Sequence, residues 1–290
     1  MDPTSGNMNL PRYSPKDESE CRNRASELSD EALFKQPPPC KECPICFLPI
    51  ITSVTSTYQA CCGKFLCNGC IYSSGKVAGY DVNKCPCPFC RQPVPKTNKE
   101  VLNLLRKRVK VKDVNAMHTL ACQYYYGGNG ATRDADKALG IFLSAIKLGS
   151  IESHFALGNI YRQGQIVTKD MPKAIKHYEI AAMGGSDNAR HSLGSIEGQA
   201  GNFHRAMRHY MISASAGHDP SLMSIRKGFE CKFVTKGDYA KALRAHKDAK
   251  DEAKSESRDF IAANHARSLQ AVDDPTKKAH MLNSGFLHRK

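Results

Sequence analysis

The sequence predicts a mainly α-helical chain in which a small cysteine-rich module is followed by an α-solenoid of helical hairpins. Three observations carry this. Ten of the 13 cysteines fall between Cys40 and Cys90. From about residue 115 the chain repeats itself at an offset of 36 residues. Between these regions, Val101, Leu104, Leu105 and Val109 recur at helical spacing with bases between them, which predicts a connecting helix over 98–112.

The cysteines come first. Clusters of Cys-x-x-Cys in a chain whose N-terminus, MDPTSGNMNLPRYSP, has no apolar core of a secretory signal point to reduced, metal-binding thiols rather than disulfides. The pattern is Cys43-Pro-Ile-Cys46, then Cys61-Cys62 and Cys67-Asn-Gly-Cys70, then Cys87-Pro-Phe-Cys90. Structural zinc takes four Cys or His ligands tetrahedrally, so these eight thiols suit two closed Zn²⁺ sites. No His stands between residues 40 and 117, so both sites are expected to be all-cysteine. Cys21, Cys122 and Cys231 lie outside the cluster.

The order of these pairs resembles a RING finger in an all-cysteine variant, over residues 43–95. The resemblance implies cross-bracing. Cys43, Cys46, Cys67 and Cys70 would share one zinc, and Cys61, Cys62, Cys87 and Cys90 the other. Most RING fingers carry a His in the second pair, and Lys64 stands near that place, where a protonated amine is no ligand. Adjacent cysteines crowd one ion, which leaves Cys85 open as a replacement for Cys61; Cys40 likewise competes with Cys46 to pair with Cys43. The resemblance further implies contact of Ile45 and Pro88 with a ubiquitin-conjugating enzyme. It places Arg91, directly after the last ligand, where active ligases often orient ubiquitin by hydrogen bonds. The implied function is a RING-type ubiquitin ligase with no nucleophile of its own, acting by positioning. The alternatives are a non-catalytic zinc-binding adaptor and a basic RNA-associated zinc protein. LIM and PHD modules would need a His within the cluster, and a FYVE module its basic His-containing run.

The repeats follow. Tyr125 to Gly128 parallels Tyr161 to Gly164, Asp134 to Ala138 parallels Asp170 to Ala174, and Gly149-Ser150 parallels Gly185-Ser186, all without a gap. A third copy keeps Leu193-Gly194, loses four loop residues, and resumes with Arg205-Ala206-Met-Arg-His209-Tyr210, matching Lys173-Ala174-Ile-Lys-His177-Tyr178. A worn fourth copy shows Gly237 to Ala242. A period of this size predicts a solenoid. Gly128 and Gly164 are expected to end the first helix of each pair, and Asp134 and Asp170 to begin the second. Tyr124, Tyr125, Tyr161 and Tyr178 are expected to pack between helices. His177 and His209, at equivalent positions, are expected to be structural or exposed rather than ligands. The pattern over 115–249 resembles the Sel-one-like repeat, a relative of the tetratricopeptide repeat, and that resemblance implies a surface for a protein substrate or complex.

The expected organisation is a disordered tail over 1–39, with a short helical turn around Ser26–Phe34. The zinc module covers 40–95, a basic connecting helix 96–114, the repeats 115–249, and a helical extension with a basic tail 250–290. The formal charge of +14 is diffuse, with one dense run from Arg106 to Lys112. That run is expected to be a solvated helix face. No aromatic platform accompanies it, so nucleic acid is not expected as a partner. With no apolar run near the ~20 residues needed to cross a bilayer, a cytoplasmic or nuclear location is expected, away from membranes.

Overall fold

The computed structural model describes residues 30–51, 56–77, 85–128 and 130–273. A four-residue turn, α1 (Asp30–Leu33), precedes the cysteine module. The module holds a two-stranded antiparallel hairpin, β1 (Ser56–Gln59) and β2 (Lys64–Cys67), registered Tyr58 opposite Phe65, and then α2 (Asn68–Val77). Helix α3 (Asn98–Lys110) leads into the repeats. These are α4 (Val114–Tyr126) with α5 (Ala135–Lys147), α6 (Ile151–Gln163) with α7 (Met171–Met183), α8 (Asp187–Gln199) with α9 (Phe203–Ser215), and α10 (Asp219–Glu230) with α11 (Lys236–Glu252). Helix α12 (Glu256–Asp273) ends the described chain.

Local chemistry sets the helix starts. The carboxylates of Asp134 and Asp170 accept from the backbone N–H of Lys137 and Lys173, 2.9 Å each, and so cap α5 and α7 as expected. Ser150 and Ser186 cap α6 and α8 in the same way. Helix α9 starts at Asn202 with no side-chain cap bond, at the place where the third copy lost its loop residues.

The ungapped register needs one correction. The left-handed residue that ends α4 is Gly127 (φ 75°), not Gly128, and its counterpart after α6 is Gly164 (φ 67°). Accordingly the Asp134 amide donates to Tyr124 O (2.9 Å), as the Asp170 amide does to Tyr161 O (3.0 Å). Lys137 lies over the Tyr124 ring and Lys173 over the Tyr161 ring. Tyr124, rather than Tyr125, is therefore the partner of Tyr161. The loop between α4 and α5 carries one residue more than that between α6 and α7, and either of two neighbouring glycines would satisfy the sequence pattern.

Two apolar clusters form the core. The larger runs from Leu33 through α3 to Leu193, and the smaller joins Ala206, Tyr210, Ala214, Ile225, Val234 and Ala242. Tyr124, Tyr125, Tyr161 and Tyr178 are all buried, as expected of packing residues. His177 and His209 are buried too, and neither belongs to a metal-binding group among the described residues.

Two further expectations are revised. The last ten residues of the expected disordered tail, 30–39, are ordered: Leu33 is buried and Pro38 packs on Gly185. The rest of that tail, 1–29, and the basic tail beyond 273 lie outside the described residues, as does Cys21. The basic run is not merely a solvated face either. Arg108 donates to the carbonyls of Ala60 (3.3 Å) and Cys61 (2.8 Å) and faces Asp113 at 3.8 Å.

That contact is the first of several clamps on the cysteine module, among them the pair of Lys41 with Glu152 of α6 at 2.6 Å. At the first, Tyr58 also donates to Asp113 (2.8 Å), and Gly63 seats the hairpin turn. Gly63 has φ 73°, and a Cβ there would stand 2.6 Å from the Asp113 carboxylate. At the second clamp, α2 lies along α12: Tyr72 stacks on Phe260 with centroids 4.8 Å apart, and Ser73 meets Ser257. The module thus touches both the start of the repeats and the helix beyond their end.

Candidate metal centre

Two turns of the same construction build the site. In Cys43-Pro-Ile-Cys46-Phe47, the Phe47 amide donates to Cys43 O (2.8 Å) and the Cys43 amide to Leu48 O (3.0 Å). In Cys87-Pro-Phe-Cys90-Arg91, the Arg91 amide donates to Cys87 O and the Cys87 amide to Gln92 O, 2.8 Å each. Phe47 (φ 57°) and Arg91 (φ 58°) occupy equivalent left-handed positions, which costs a non-glycine residue conformational energy. Such strain persists where something else holds the turn closed.

The turns meet the hairpin in alternation. Cys43, Cys46, Cys67 and Cys70 form one group and Cys61, Cys62, Cys87 and Cys90 another, with all ligand atoms of a group within 4.8 Å of one another. The Sγ atoms of Cys46 and Cys67 are 3.8 Å apart, those of Cys62 and Cys87 3.9 Å, and those of Cys61 and Cys90 3.4 Å. A tetrahedral Zn–S site with bonds of about 2.3 Å has sulfur–sulfur edges of about 3.8 Å. Both groups therefore fit a four-thiolate metal and can hold an ion. The neighbours Cys61 and Cys62 reach one site because the hairpin turn curls there, with the amides of Cys62 and Gly63 both donating to Gln59 O.

Electrostatics within the groups is divided. Burial opposes the Cys43 thiolate, but donation from the amides of Cys67, Cys46 and Ile45 outweighs it and brings this thiol to about 6. Burial raises Cys61 and Cys70, and neighbouring sulfurs raise them further. Four such thiols ionise together only beside a cation.

The remaining sequence-predicted residues fall as follows. Cys85 is buried yet outside both groups, and Cys40 is exposed and outside both. Lys64 opens β2 with its side chain exposed. Ile45 is 36% exposed, Pro88 half-buried, and Arg91 exposed. Sequence reasoning missed Phe47 and Phe89, which stand 71% and 43% exposed beside them. It also missed Arg258 on α12, which donates to Pro49 O (2.6 Å), Leu48 O (3.2 Å) and the Cys46 sulfur (3.3 Å). The phenylalanines were findable, lying inside or next to a Cys-x-x-Cys pair. Arg258 carried no local signal.

The scaffold behind the site defines a class: stacked antiparallel helix pairs of the α-solenoid kind. More particularly, the family model described as Sel1 repeat matches residues 114–150 and 151–186, so this region carries Sel1 repeats, which suit a protein-interaction scaffold. Among solved structures, a Sel1 repeat protein from Oxalobacter formigenes is 19% identical, with 74% of this chain and 83% of that one covered and a TM-score of 0.48. The protective antigen c5321 of uropathogenic Escherichia coli, described as displaying an SLR fold, is 23% identical over 58% of this chain and 36% of its own, with a TM-score of 0.44. No curated protein matches the chain. Among the described residues no helix is long and apolar enough to cross a membrane.

Proposed function

We propose that the chain is a RING-type ubiquitin ligase whose two Zn²⁺ ions are structural and whose helical repeats hold the substrate or its complex. The observation that supports this best is the alternation of the two cysteine groups, first turn with third pair and second pair with last turn. Bound zinc would supply folding energy to a segment too short for its own apolar core. Cys43, Cys46, Cys67 and Cys70 would hold one ion, and Cys61, Cys62, Cys87 and Cys90 the other.

The two equivalent turns leave Ile45, Phe47 and Phe89 open to solvent. Exposed apolar side chains gathered on a small module suit a docking face. In this reading Ile45 and Pro88 meet the conjugating enzyme, and Arg91 donates to ubiquitin and narrows its motion. Catalysis is then orientation of a thioester carried by the enzyme, not chemistry on this chain.

A reconstituted transfer reaction with a panel of conjugating enzymes tests this. Wild-type protein is expected to stimulate transfer, Ile45→Ala to lose the effect, and Arg91→Ala to weaken transfer while enzyme binding persists. Both variants should keep their metal. No stimulation by any enzyme, or two variants that behave as wild type, would favour the adaptor.

A further inference from the structure

The second and third repeats differ at one junction. In the second, His154 on α6 and His177 on α7 meet with their Nδ1 atoms 3.0 Å apart. The equivalent pair in the third is Arg190, fourth residue of α8, and His209, seventh of α9. These two do not bond to each other. Arg190, 1% exposed, points its guanidinium at the N-terminal segment, donating to Leu33 O (2.5 Å) and Lys35 O (3.5 Å). Its Nε and both ring nitrogens of the fully buried His209 have no hydrogen-bond partner.

The segment itself is held by its sequence. Leu33 is buried at 2% exposure. Phe34 lies against the His209 ring, centroids 4.6 Å apart, and under the Arg208 guanidinium at 3.6 Å. The Asp30 carboxylate pairs with Arg205 and Arg208. An arginine gripping main-chain carbonyls, a leucine buried in the apolar core, an aromatic under a cation and an acidic residue on a basic pair are the elements of short-peptide recognition.

We propose that the cleft between α7, α8 and α9 is a binding site for short peptides of the pattern acidic-x-x-Leu-Phe, and that Asp30–Lys35 is its resident ligand in cis. One buried and one half-buried apolar side chain are set against the ordering of six residues, so the segment is exchangeable. A partner carrying the same pattern binds by displacing it. The proposal rests on the repeats holding a partner, not on ligase activity, and its test reads binding rather than ubiquitin transfer.

The probe is a fluorescein-labelled peptide of residues 29–37, titrated by anisotropy into the full chain. Protein with Asp30→Ala, Leu33→Ala and Phe34→Ala together loses every side-chain hold of the segment and serves as the emptied variant. It should bind the peptide saturably and at least tenfold more tightly than wild type. Arg208→Glu in that background should cost tenfold or more, and a peptide with its Phe replaced by Ala should not bind. A folded, emptied variant that ignores the peptide, or binds it no better than wild type, overturns the proposal. Should the emptied variant not fold, hydrogen exchange of wild type with millimolar peptide decides. Faster exchange confined to 30–35 supports displacement, and unchanged exchange there overturns it.

Discussion

Arg258 donates to the sulfur of Cys46 across 212 residues of chain, at 3.3 Å. The same guanidinium holds the carbonyls of Leu48, Pro49 and Ala253, so it ties α12 to the first turn of the cysteine module. A cation beside a thiolate group also offsets the negative charge that four sulfurs place on a divalent ion. Partners of this kind set metal affinity nearly as much as the ligands do. Arg258→Met should leave the metal content unchanged and speed zinc loss to a chromophoric chelator by about 10-fold. An unchanged release rate would show that the contact serves only to dock the helix.

About two zinc ions per chain are expected in protein purified without chelator, by elemental analysis. Cys43→Ser and Cys90→Ser each remove one ligand from a different group. Either should unfold 40–95, because a bound ion would supply the folding energy there. Most of the helical circular dichroism should persist, since the repeats have their own core. A stoichiometry of one or none would contradict the paired arrangement.

Burial holds His209 far below its ordinary value, at about 3, with Arg190, Arg205 and Arg208 adding to the effect. The unfolded chain takes up this proton near pH 6.5 and the folded chain does not. The stabilising contribution is therefore present above pH 6.5 and is lost as pH falls toward the folded value. Asp187 acts in the opposite sense. Burial raises it to about 7, against the pull of Arg190, so its contribution is present at low pH and lost as pH rises through 7. His209→Leu isolates the histidine. It removes two unpartnered buried nitrogens, so stability at pH 7.5 should hold or rise. Between pH 7 and 5 the variant should gain roughly 1–2 kcal/mol over wild type in urea unfolding. Parallel pH curves would show that His209 does not carry the linkage.

Two glycines of one type should respond with opposite signs. A Cβ on Gly158 would stand 2.6 Å from the ring of Tyr178, which is fully buried and donates to Asn159 at 2.8 Å. On Gly198 the nearest atom would be the Ala206 Cβ at 3.8 Å, an ordinary contact. Gly158→Ala should cost about 1–3 kcal/mol through overpacking. Gly198→Ala should add roughly 0.5 kcal/mol through backbone entropy. Thermal melts of the two variants that shift in the same direction would refute this contrast.

The difference between these glycines shows what a sequence discloses. Leu157-Gly158 and Leu193-Gly194 repeat, so their recurrence was legible; that each makes room for a tyrosine was not. Caps at Asp134 and Asp170, the period, and the eight clustered thiols could all be read because each is a local pattern. The choice between Gly127 and Gly128 could not, since both satisfy the same turn chemistry until the loop length is known. Arg108, Arg190 and Arg258 were indistinguishable from the other bases of a chain with 42 lysines and arginines. Their roles come from contacts between distant segments, and periodicity says nothing of these. The docking of Leu33 and Phe34 escaped for the same reason: a four-residue helical turn has too little pattern to announce what it packs against.

Stacked helix pairs elsewhere are free to lengthen or shorten, because each unit touches only its neighbours. Here Arg108 and Arg258 bind opposite ends of the stack to one cysteine module. Adding or deleting a hairpin would swing α12 away from Cys46 while Arg108 stayed on Cys61. The number of repeats is thereby a closed-circuit property, set by the distance the stack must span to return to its own beginning. Drift in repeat number, the usual way such scaffolds diversify, is barred to this chain unless it gives up one clamp.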